Sequence, residues 1–516
     1  MDDAQQGVIA FLRDPASYPP GSGPVEIIET HASLVFLAGS YAYKLKRAVK
    51  YPYLDFSTLA LRQAACSAEL KLNRRTAPQL YLEVRALSRQ PDGAVFWGRP
   101  DADRPGEVVD FVVVMRRFDQ RDLLDRVAQT GGLSVPLMQA LAAHIAAFHA
   151  KAEQCRDCGG AAAMAGVAAA NLEVLRNSRS AGFGAAQVER IAEATSGELA
   201  RVGALLDERR AAGKVRRVHG DLHLRNICLV DGRPLLFDCI EFSDDIATID
   251  ALYDLAFLLM DLDHRSFPAL ANLVLNRYLD LTEEDDGLAA LPLFVSLRAV
   301  IRAHVTATMA EHGWISGDPA AAFDEARRYL DEAEAALMPL PARLIAVGGL
   351  SGSGKSLLAG RLAAGLGRRP GARVLRSDVL RKLRFGADPE TRLPPEAYTA
   401  EINALVYRDL CERAAIALRA GVPVVIDAVS LREDERDAFA AVAAAAGVPF
   451  TGLWLEAPEA AMRARLDARR DDASDASGEV LRHQLASDPG RLDWIRIDAG
   501  GAAEMTLAAA RRALMH

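Results

Sequence analysis

The octapeptide GLSGSGKS, residues 349–356, constrains the fold more than any other stretch of this 516-residue chain. An apolar segment, residues 343–347, runs directly into it, and a helical pattern, residues 357–366, follows it. A strand that enters a glycine loop and leaves it as a helix points backbone amides and the positive end of the helix dipole at one place, where phosphate groups bind. The sequence therefore predicts an α/β domain with a phosphate-binding loop.

Each type of residue in this loop has its own expected task. Backbone amides surround the phosphates, Lys355 reaches the terminal phosphates, and the hydroxyl of Ser356 ligates magnesium. The residues expected to bind nucleotide are Gly349, Ser351, Gly352, Ser353, Gly354, Lys355 and Ser356. The complete pattern, in its strand and helix context, predicts a P-loop NTPase domain with a doubly wound parallel sheet.

Further strands of this domain are predicted at residues 374–376, 422–426, 451–455 and 494–497, and a helix from residue 502 ends the chain. Asp427 ends the second of these strands, where a carboxylate can bind magnesium through water. Asp378 follows the first strand and precedes three basic residues, Arg381, Lys382 and Arg384. These basic residues either bind a phosphate or carboxylate of a substrate or form a solvated helix face.

A second constellation lies earlier in the chain, in HGDLHLRN at residues 219–226 and in the later run LLFDCIEF. Phosphoryl transfer from ATP needs a carboxylate beside the attacking hydroxyl and two oxygen ligands for magnesium. Asp221, Asn226 and Asp238 supply these groups in that order. Asp221 and Asn226 are five residues apart, so one tight loop can present both, and Asp238 at the end of an apolar strand can meet the metal from the opposite side.

These residues, in this order, resemble the signature of the aminoglycoside phosphotransferase family, the small-molecule branch of the protein-kinase-like fold. The resemblance implies a two-lobed fold. It implies that His219 orients the catalytic loop without transferring a proton, and that Asp254 on the following helix hydrogen-bonds that loop from below. It also places Met115, at the end of a predicted strand, at the hinge where backbone meets adenine.

The same resemblance assigns residues that precede the hinge. A hairpin is predicted from residues 34–37 and 41–46, and Lys44 in its second strand resembles the lysine that contacts ATP phosphates in kinase-like folds. Lys46 points to the same face by the period of two and stays open as the alternative. Glu69, on a helix predicted over residues 59–75, is the implied partner of the strand lysine.

The second domain is similar to small P-loop kinases of the gluconate kinase and zeta toxin type. That resemblance implies that Asp378 orients the acceptor hydroxyl. It also implies a lid whose arginines close on the phosphates; Arg469 is assigned to this role, although spacing does not choose among it, Arg463, Arg465 and Arg470. The chain as a whole resembles bacterial bifunctional aminoglycoside phosphotransferase and ATP-binding proteins.

Composition excludes several classes of protein. The net charge of -8 argues against a general binder of nucleic acid or of anionic membranes. Six scattered cysteines indicate a reducing cytoplasm, and Cys155 and Cys158 are interpreted as two small residues in a surface connection. The N-terminus lacks the features of a signal peptide, and no stretch is expected to be long and apolar enough to span a bilayer. A cytoplasmic protein without nucleic-acid or membrane partners is predicted; its oligomeric state is not.

The predicted architecture is an α/β multidomain chain: a kinase-like N-lobe at 1–115, a helical C-lobe at 116–337, a linker at 338–342 and a P-loop kinase-like domain at 343–516. The predicted activity is transfer of the γ-phosphate of ATP, with Mg²⁺, to a small-molecule hydroxyl. The alternative is a regulatory protein whose P-loop domain is an ATPase switch on the first domain. A protein kinase is less favoured, because no segment resembles an activation loop. The sequence specifies neither acceptor, nor ATP over GTP.

Overall fold

The computed structural model describes residues 3–51, 54–101, 103–178, 182–313, 318–468 and 474–515. The chain divides into two units built from discontinuous ranges. The first comprises Met1–Val188, Leu206–Leu258 and Val300–Tyr329, and the second comprises Glu189–Leu205, Leu259–Ala299 and Leu330–His516.

The strands of the described residues are β1 (Glu26–Glu29), β2 (Ser33–Ala38), β3 (Tyr41–Lys46), β4 (Lys50–Tyr51), β5 (Leu54–Asp55), β6 (Tyr81–Arg89), β7 (Val95–Trp97), β8 (Glu107–Arg116), β9 (Val215–Arg217), β10 (Ile227–Val230), β11 (Arg233–Leu236), β12 (Thr248–Asp250), β13 (Leu344–Gly349), β14 (Arg373–Arg376), β15 (Val424–Asp427), β16 (Phe450–Glu456) and β17 (Ile495–Asp498).

The helices of the same residues are α1 (Asp3–Arg13), α2 (Leu59–Asn73), α3 (Leu124–Gln129), α4 (Val135–Lys151), α5 (Gly160–Asn177), α6 (Ala185–Ala211), α7 (Asp244–Ala247), α8 (Ala251–His264), α9 (Pro268–Thr282), α10 (Leu291–Glu311), α11 (Pro319–Leu337), α12 (Lys355–Ala363), α13 (Ser377–Arg384), α14 (Ala400–Arg419), α15 (Glu433–Ala445), α16 (Glu459–Asp467), α17 (Gly478–Ala486) and α18 (Ala503–Ala513).

The first unit contains an antiparallel sheet whose described strands lie in the order β1-β2-β3-β8-β6-β7. The predicted hairpin is confirmed, because β2 pairs with β3 from Ser33 opposite Lys46 to Ala38 opposite Tyr41. The run of valines in β8 suits a central strand, and its residues 109–115 are buried. Helix α2 packs on β8, and Thr58 caps its N-terminus with a side chain that accepts a hydrogen bond from the amide of Leu61.

The second unit contains a parallel sheet whose described strands lie in the order β14-β15-β13-β16-β17. Every residue of β13 is buried, as expected for a strand covered on both faces. Helices α12 and α18 pack together over Ile345 and Val347, and α14 packs with α15. The predicted parallel α/β fold is therefore confirmed, and β13 leads into the glycine loop at the centre of the sheet.

Helix α9 covers the edge strand β14, a contact that the sequence did not predict. Asn272 Nδ2 donates to the carbonyl of Ala372 at 2.9 Å, and Asn276 Oδ1 accepts from the amide of Val374 at 2.7 Å. These two amide side chains hydrogen-bond main-chain groups that a further strand would otherwise pair with. The unit that holds the parallel sheet therefore includes residues 259–299.

The interpretation of the two neighbouring cysteines as unbonded small residues is wrong. Cys155 and Cys158 form a disulfide bond with a Cα–Cα distance of 5.8 Å. The segment that contains them folds back along β9, since the amide of Cys155 donates to the carbonyl of Val215 at 2.9 Å. The other cysteines, Cys66, Cys228, Cys239 and Cys411, are free.

One expectation about apolar stretches is also corrected. Within the described residues, the segment Asp285–Glu311 is long and apolar enough, by length and composition, to cross a membrane. Its most apolar window is 67% buried inside the protein, which is typical of a helix in a protein core.

Candidate active sites

The kinase-like site, defined here as Lys44, Glu69, Asp221, Asn226 and Asp238, begins with an ion-pair cluster on β3. Lys44 Nζ lies 2.8 Å from Glu69 Oε1 and 2.5 Å from Asp238 Oδ1. The predicted contact between Lys44 and Glu69 is thus present. It forms because α2 lies against the sheet and directs Glu69, which is fully buried, toward the face that carries Lys44.

Lys46, the alternative lysine, belongs to the same cluster. Its Nζ lies 2.5 Å from Glu69 Oε2, and it also forms an ion pair with Glu241. Burial opposes ionisation of Glu69, but the attraction of both lysines outweighs burial and lowers the pKa of that carboxyl. Glu241 is therefore also part of this buried cluster.

The catalytic loop holds Asp221 and Asn226 together, as their spacing predicts. Asn226 Nδ2 donates to Asp221 Oδ2 at 2.8 Å and to the carbonyl of Asp221 at 2.9 Å. Because the nitrogen of the Asn226 amide is turned to Asp221, its Oδ1 atom is the one suited to a metal. A short 3-10 helix over Leu224–Asn226 sets this geometry.

The charge of Asp221 is stabilised from several sides. His223 Nε2 lies 3.3 Å from Asp221 Oδ2, a contact that the sequence did not predict. Burial raises the pKa of Asp221, but the combined attraction of His223, His219 and Arg302 outweighs burial and holds the pKa below its ordinary value. Asp221 is therefore ionised at neutral pH.

Asp254 on α8 supports the catalytic loop, as the resemblance implies. Its Oδ1 accepts from the amide of Gly220 at 2.8 Å, and its Oδ2 accepts from the amide of His219 at 3.2 Å. His149 Nε2 lies 3.1 Å from the same Oδ2 atom. The ring of His219 in turn bonds the carbonyl of Phe237 at 2.9 Å through Nε2, which links the catalytic loop to the segment that carries Asp238.

Asp238 lies two residues beyond β11, in a left-handed backbone conformation with φ of 62°. Its amide donates to Tyr81 Oη at 3.1 Å, and the next amide, that of Cys239, donates to Asn73 Oδ1 at 2.8 Å. Thr76 Oγ1 donates to the carbonyl of Leu236 at 2.7 Å. These contacts position Asp238, but the sequence does not reveal them, because they join residues about 160 positions apart in the chain.

Met115, the residue predicted at the adenine, lies near the end of β8 between β3 and β6. It is buried in an apolar cluster that also contains Leu37, Ala42 and Leu235. Contact with adenine itself stays a prediction.

The P-loop site, defined here as residues 349–356 with Asp378 and Asp427, has the backbone that phosphate binding requires. Gly352 has a φ of 83°, and a Cβ atom there would lie 2.5 Å from the carbonyl oxygen of Met462. Helix α12 starts without a side-chain cap, so its first amides have no competing side-chain acceptor at the loop. Among the residues that the structure describes, none forms a hydrogen bond with the buried Ser353 Oγ atom. This amide cradle and its orphaned hydroxyl fit the phosphates of ATP.

Several side chains brace this loop. Lys355 Nζ donates to the carbonyl of Leu350 at 3.0 Å, and the amide of Ser351 donates to Gln484 Oε1 at 2.8 Å. Arg465 on α16 donates to the carbonyl of Ser353 at 3.3 Å and to that of Ala499 at 2.8 Å. Among the candidate lid arginines, Arg465 thus contacts the loop backbone, whereas Arg469 and Arg470 lie outside the described residues.

Arg376 contacts both candidate magnesium ligands of the P-loop site, an arrangement that was not predicted from the sequence. Its Nε lies 3.1 Å from Asp427 Oδ2, and its terminal nitrogen donates to Ser356 Oγ at 3.1 Å. Parallel pairing of β14 with β15 sets Arg376 directly opposite Asp427. Nearby, burial raises the pKa of Asp378 above its ordinary value, against the attraction of Arg376.

A cavity of about 920 Å³ extends from the P-loop and contains Asp378, Asp427 and Arg381 in its lining. The suggestion of a solvated basic helix face after Asp378 is wrong for Arg381 and Lys382, because both are buried. Lys382 Nζ lies 3.0 Å from Asp475 Oδ1, whereas Arg381 faces the cavity. The volume is large enough for a nucleotide and a small acceptor.

No group of three or more histidine, cysteine, aspartate or glutamate side chains suited to a metal occurs in the part of the chain that the structure describes. The candidate magnesium ligands instead pair one carboxylate with one neutral oxygen: Asp238 with Asn226, and Asp427 with Ser356. Such a set of oxygen donors fits Mg²⁺, which usually keeps several waters and binds substrate phosphates.

Comparison with known proteins agrees with this division of sites. Residues 57–291 match the model of the Phosphotransferase enzyme family, and residues 344–488 match the model of an AAA domain. A sugar kinase structure from Janibacter sp. HTCC2649 is 25% identical, covering 34% of this chain and 95% of its own, with a TM-score of 0.27. A choline/ethanolamine kinase family structure from Mesorhizobium loti is 15% identical, covering 64% and 99%, with a TM-score of 0.38.

The similarity extends along nearly the whole chain in one set of relatives. An uncharacterized protein of Mycobacterium tuberculosis (strain ATCC 25618 / H37Rv) is 31% identical over 495 residues, which cover 94% of each chain. The resemblance drawn from the sequence motifs is confirmed, and the two domains are of kinase type. The chain therefore belongs to the same family as this mycobacterial protein, and it joins a kinase-like domain of the phosphotransferase enzyme family to a P-loop kinase domain.

Proposed function

We propose that the protein is an ATP-dependent phosphotransferase with two sites, each of which transfers the γ-phosphate to a hydroxyl of a small molecule. The observation that carries the proposal is the catalytic loop, where an ionised Asp221 is bonded to Asn226 and stabilised by His223. The functional division is proposed to follow the ranges 1–115, 116–337 and 343–516.

At the kinase-like site, Lys44 would hold the phosphates of ATP, and Asn226 and Asp238 would ligate magnesium. ATP would supply the transferable phosphoryl group, and the bound magnesium would neutralise charge on the phosphates. Asp221 accepts the hydrogen bond of the acceptor hydroxyl and takes up its proton. Positioning contributes more than basicity in such loose transition states, which suits a carboxylate with a lowered pKa.

At the P-loop site, the loop amides and Lys355 would hold the phosphates, and Ser356 and Asp427 would ligate magnesium. Asp378 lines the same cavity and orients the acceptor hydroxyl. The raised pKa of its carboxyl makes it a better proton acceptor than Asp221.

Dependence of ATP consumption on an acceptor tests this proposal. A phosphotransferase consumes ATP when sugars, nucleosides or aminoglycosides are added and stays near the background rate without them. An ATPase switch, the alternative role of the P-loop domain, hydrolyses ATP at the same rate with or without these compounds. If ATP hydrolysis does not depend on an acceptor and is abolished by Lys355→Ala, the P-loop domain is an ATPase switch and not a phosphotransferase.

Replacing Glu69 with glutamine is expected to lower kcat/KM for ATP at the kinase-like site by about 10- to 100-fold. Hydrogen bonds to charged groups contribute about 1.5–3 kcal/mol, and Glu69 holds both Lys44 and Lys46. Steady-state kinetics in a Lys355→Ala background measure the effect. Glu83→Gln, on the exposed surface of β6, is the matched control, and equal kcat/KM for the two variants would rule out a positioning role for Glu69.

A further inference from the structure

The disulfide bond of the first unit joins two cysteines, Cys155 and Cys158, that are only three positions apart in the chain. The stabilisation that a disulfide gives decreases with the length of the loop that it closes, so this bond constrains the unfolded chain little. Two residues between the cysteines is also the spacing of disulfide oxidoreductases, whose bonds form and break in normal use. The bond is therefore better suited to thiol–disulfide exchange than to holding the fold together.

The pair is accessible in the folded protein. Cys155 and Cys158 are half-buried, and the two residues between them, Arg156 and Asp157, are exposed. The free cysteines that the structure describes in the same unit are all buried. Exchange requires access to a sulfur atom, so an external thiol can react with this pair while the other cysteines of the unit stay protected.

The segment that carries the pair is hydrogen-bonded to β9. The amide of Cys155 donates to the carbonyl of Val215 at 2.9 Å, and the amide of Arg217 donates to the carbonyl of Glu153 at 2.8 Å. Gly159 packs against the same strand, since a Cβ atom there would lie 2.8 Å from the side chain of Val215. The conformation of the disulfide segment therefore helps to fix the position of β9.

Strand β9 leads directly into the catalytic loop, because only one residue separates it from His219. A second connection runs through side chains. Arg216 of β9 donates to the carbonyl of His149 at 2.7 Å, and His149 Nε2 lies 3.1 Å from Asp254 Oδ2. Asp254 in turn accepts hydrogen bonds from two amides of the catalytic loop. A displacement of β9 can therefore reach the loop through the main chain and through Asp254.

We propose that Cys155 and Cys158 are a reversible thiol–disulfide exchange site, and that reduction of their bond loosens β9 and lowers activity at the kinase-like site. The effect on activity rests on the proposed function of that site. The reductant is a dithiol, either a small molecule or a protein. One of its thiolates attacks a sulfur of the pair and displaces the other cysteine as a thiolate. Its second thiolate then breaks the mixed disulfide, so that two electrons and two protons pass from the dithiol to the protein.

Thiol labelling of the folded full-length protein with a maleimide, followed by mass spectrometry, measures the exchange. The probes are dithiothreitol, a small dithiol, and reduced thioredoxin, a dithiol protein. We expect Cys155 and Cys158 to be labelled only after treatment with a probe, and the probe that acts identifies the source of the dithiol. Labelling of Cys411, a half-buried free cysteine, is expected to be the same before and after treatment. A pair that resists both probes until the protein is unfolded would overturn the proposal.

Hydrogen exchange of the amides of Cys155 and Arg217 measures the pairing with β9 without any need for activity. Each amide donates a hydrogen bond between the disulfide segment and the strand. Weakening of this pairing is expected to speed their exchange by about 3- to 10-fold on reduction, the equivalent of one hydrogen bond. Amides of β8, in the same unit, are the control and are expected to stay unchanged.

Reduction is expected to lower kcat/KM for ATP at the kinase-like site by about 3- to 10-fold, measured in a Lys355→Ala background. The double variant Cys155→Ser/Cys158→Ser is expected to show the lower value with or without dithiol, because serine cannot form the bond. Cys411→Ser is the matched control and is expected to respond to reduction as the parent does.

Two results separate failure of this inference from failure of the proposed function. Acceptor-dependent transfer that is identical in the oxidised, reduced and double-serine proteins would overturn the inference and leave the phosphotransferase intact. Exchange of the pair with faster hydrogen exchange at Cys155 and Arg217, but with no transfer in either redox state, would support the redox site and overturn the proposed function of this domain.

Discussion

Asp221→Asn is expected to lower kcat at the kinase-like site by about 10²- to 10⁴-fold, the usual contribution of a positioned acid or base. The amide has nearly the same shape but cannot take up the hydroxyl proton. It also loses the charge that His223 and Asn226 stabilise in the native loop. Transfer of labelled γ-phosphate, measured in a Lys355→Ala background, gives the size of the effect.

The control for this substitution is Asp231→Asn, in the turn between β10 and β11. Asp231 has a φ of 51°, a conformation that asparagine also tolerates, so the fold and the rate are expected to stay unchanged. If Asp221→Asn transfers phosphate as fast as the parent protein and unfolds at the same temperature, the first domain is not a phosphotransferase of the proposed kind.

Arg373→Met is expected to destabilise the second unit by about 3–5 kcal/mol, because Asp280 loses its ion pair and Asp285 keeps only its pair with Arg413. Arg373 is fully buried on β14; its Nε lies 2.6 Å from Asp285 Oδ1, and its terminal nitrogen lies 2.8 Å from Asp280 Oδ1. Hydrogen exchange of the amides in β13 and β15 measures the loss, since core strands report the global opening of a unit.

The pH dependence of this effect has a definite sign. Burial raises the pKa of Asp280 even beside Arg373, and removal of the guanidinium raises that pKa further. A carboxyl whose pKa is raised on folding destabilises the fold when ionised, so the defect of Arg373→Met is expected to shrink as the pH falls and the carboxyl is protonated.

The exposed pair Arg361 with Glu504 provides the control, and Arg361→Met is expected to change stability by less than about 0.5 kcal/mol. Equal hydrogen-exchange protection of Arg373→Met and Arg361→Met would contradict a structural role for the ion pairs of Arg373.

The fold and the reacting groups were predictable where the signal is local. The period of two in β3 puts Lys44 and Lys46 on one face, and the five-residue spacing in the catalytic loop brings Asp221 to Asn226. The strand, glycine loop and helix around Lys355 follow from the same short-range logic. In each case the physical constraint lies within a few residues of the side chain concerned.

The missed features depend on contacts between distant parts of the chain. Tyr81 binds the amide of Asp238, although 157 positions separate them, and Arg376 reaches Asp427 only because β14 and β15 are parallel neighbours. Likewise, Asn276 bonds the edge strand β14 from a helix whose sequence pattern is ordinary. Nothing in that pattern indicates which strand the side chain contacts. Sequence periodicity gives the buried face of an element, but it does not identify the residue on the other side.

The proposed function places two independent phosphotransfer sites on one chain. The decisive experiment is labelled γ-phosphate transfer to a panel of sugars, sugar acids, nucleosides and aminoglycosides, with Lys355→Ala, Asp221→Asn and the double variant assayed side by side. Each single variant is expected to keep transfer to one class of acceptor, and the double variant is expected to transfer to none. Loss of all transfer in either single variant, with both variants folded, would show that the two sites do not act independently.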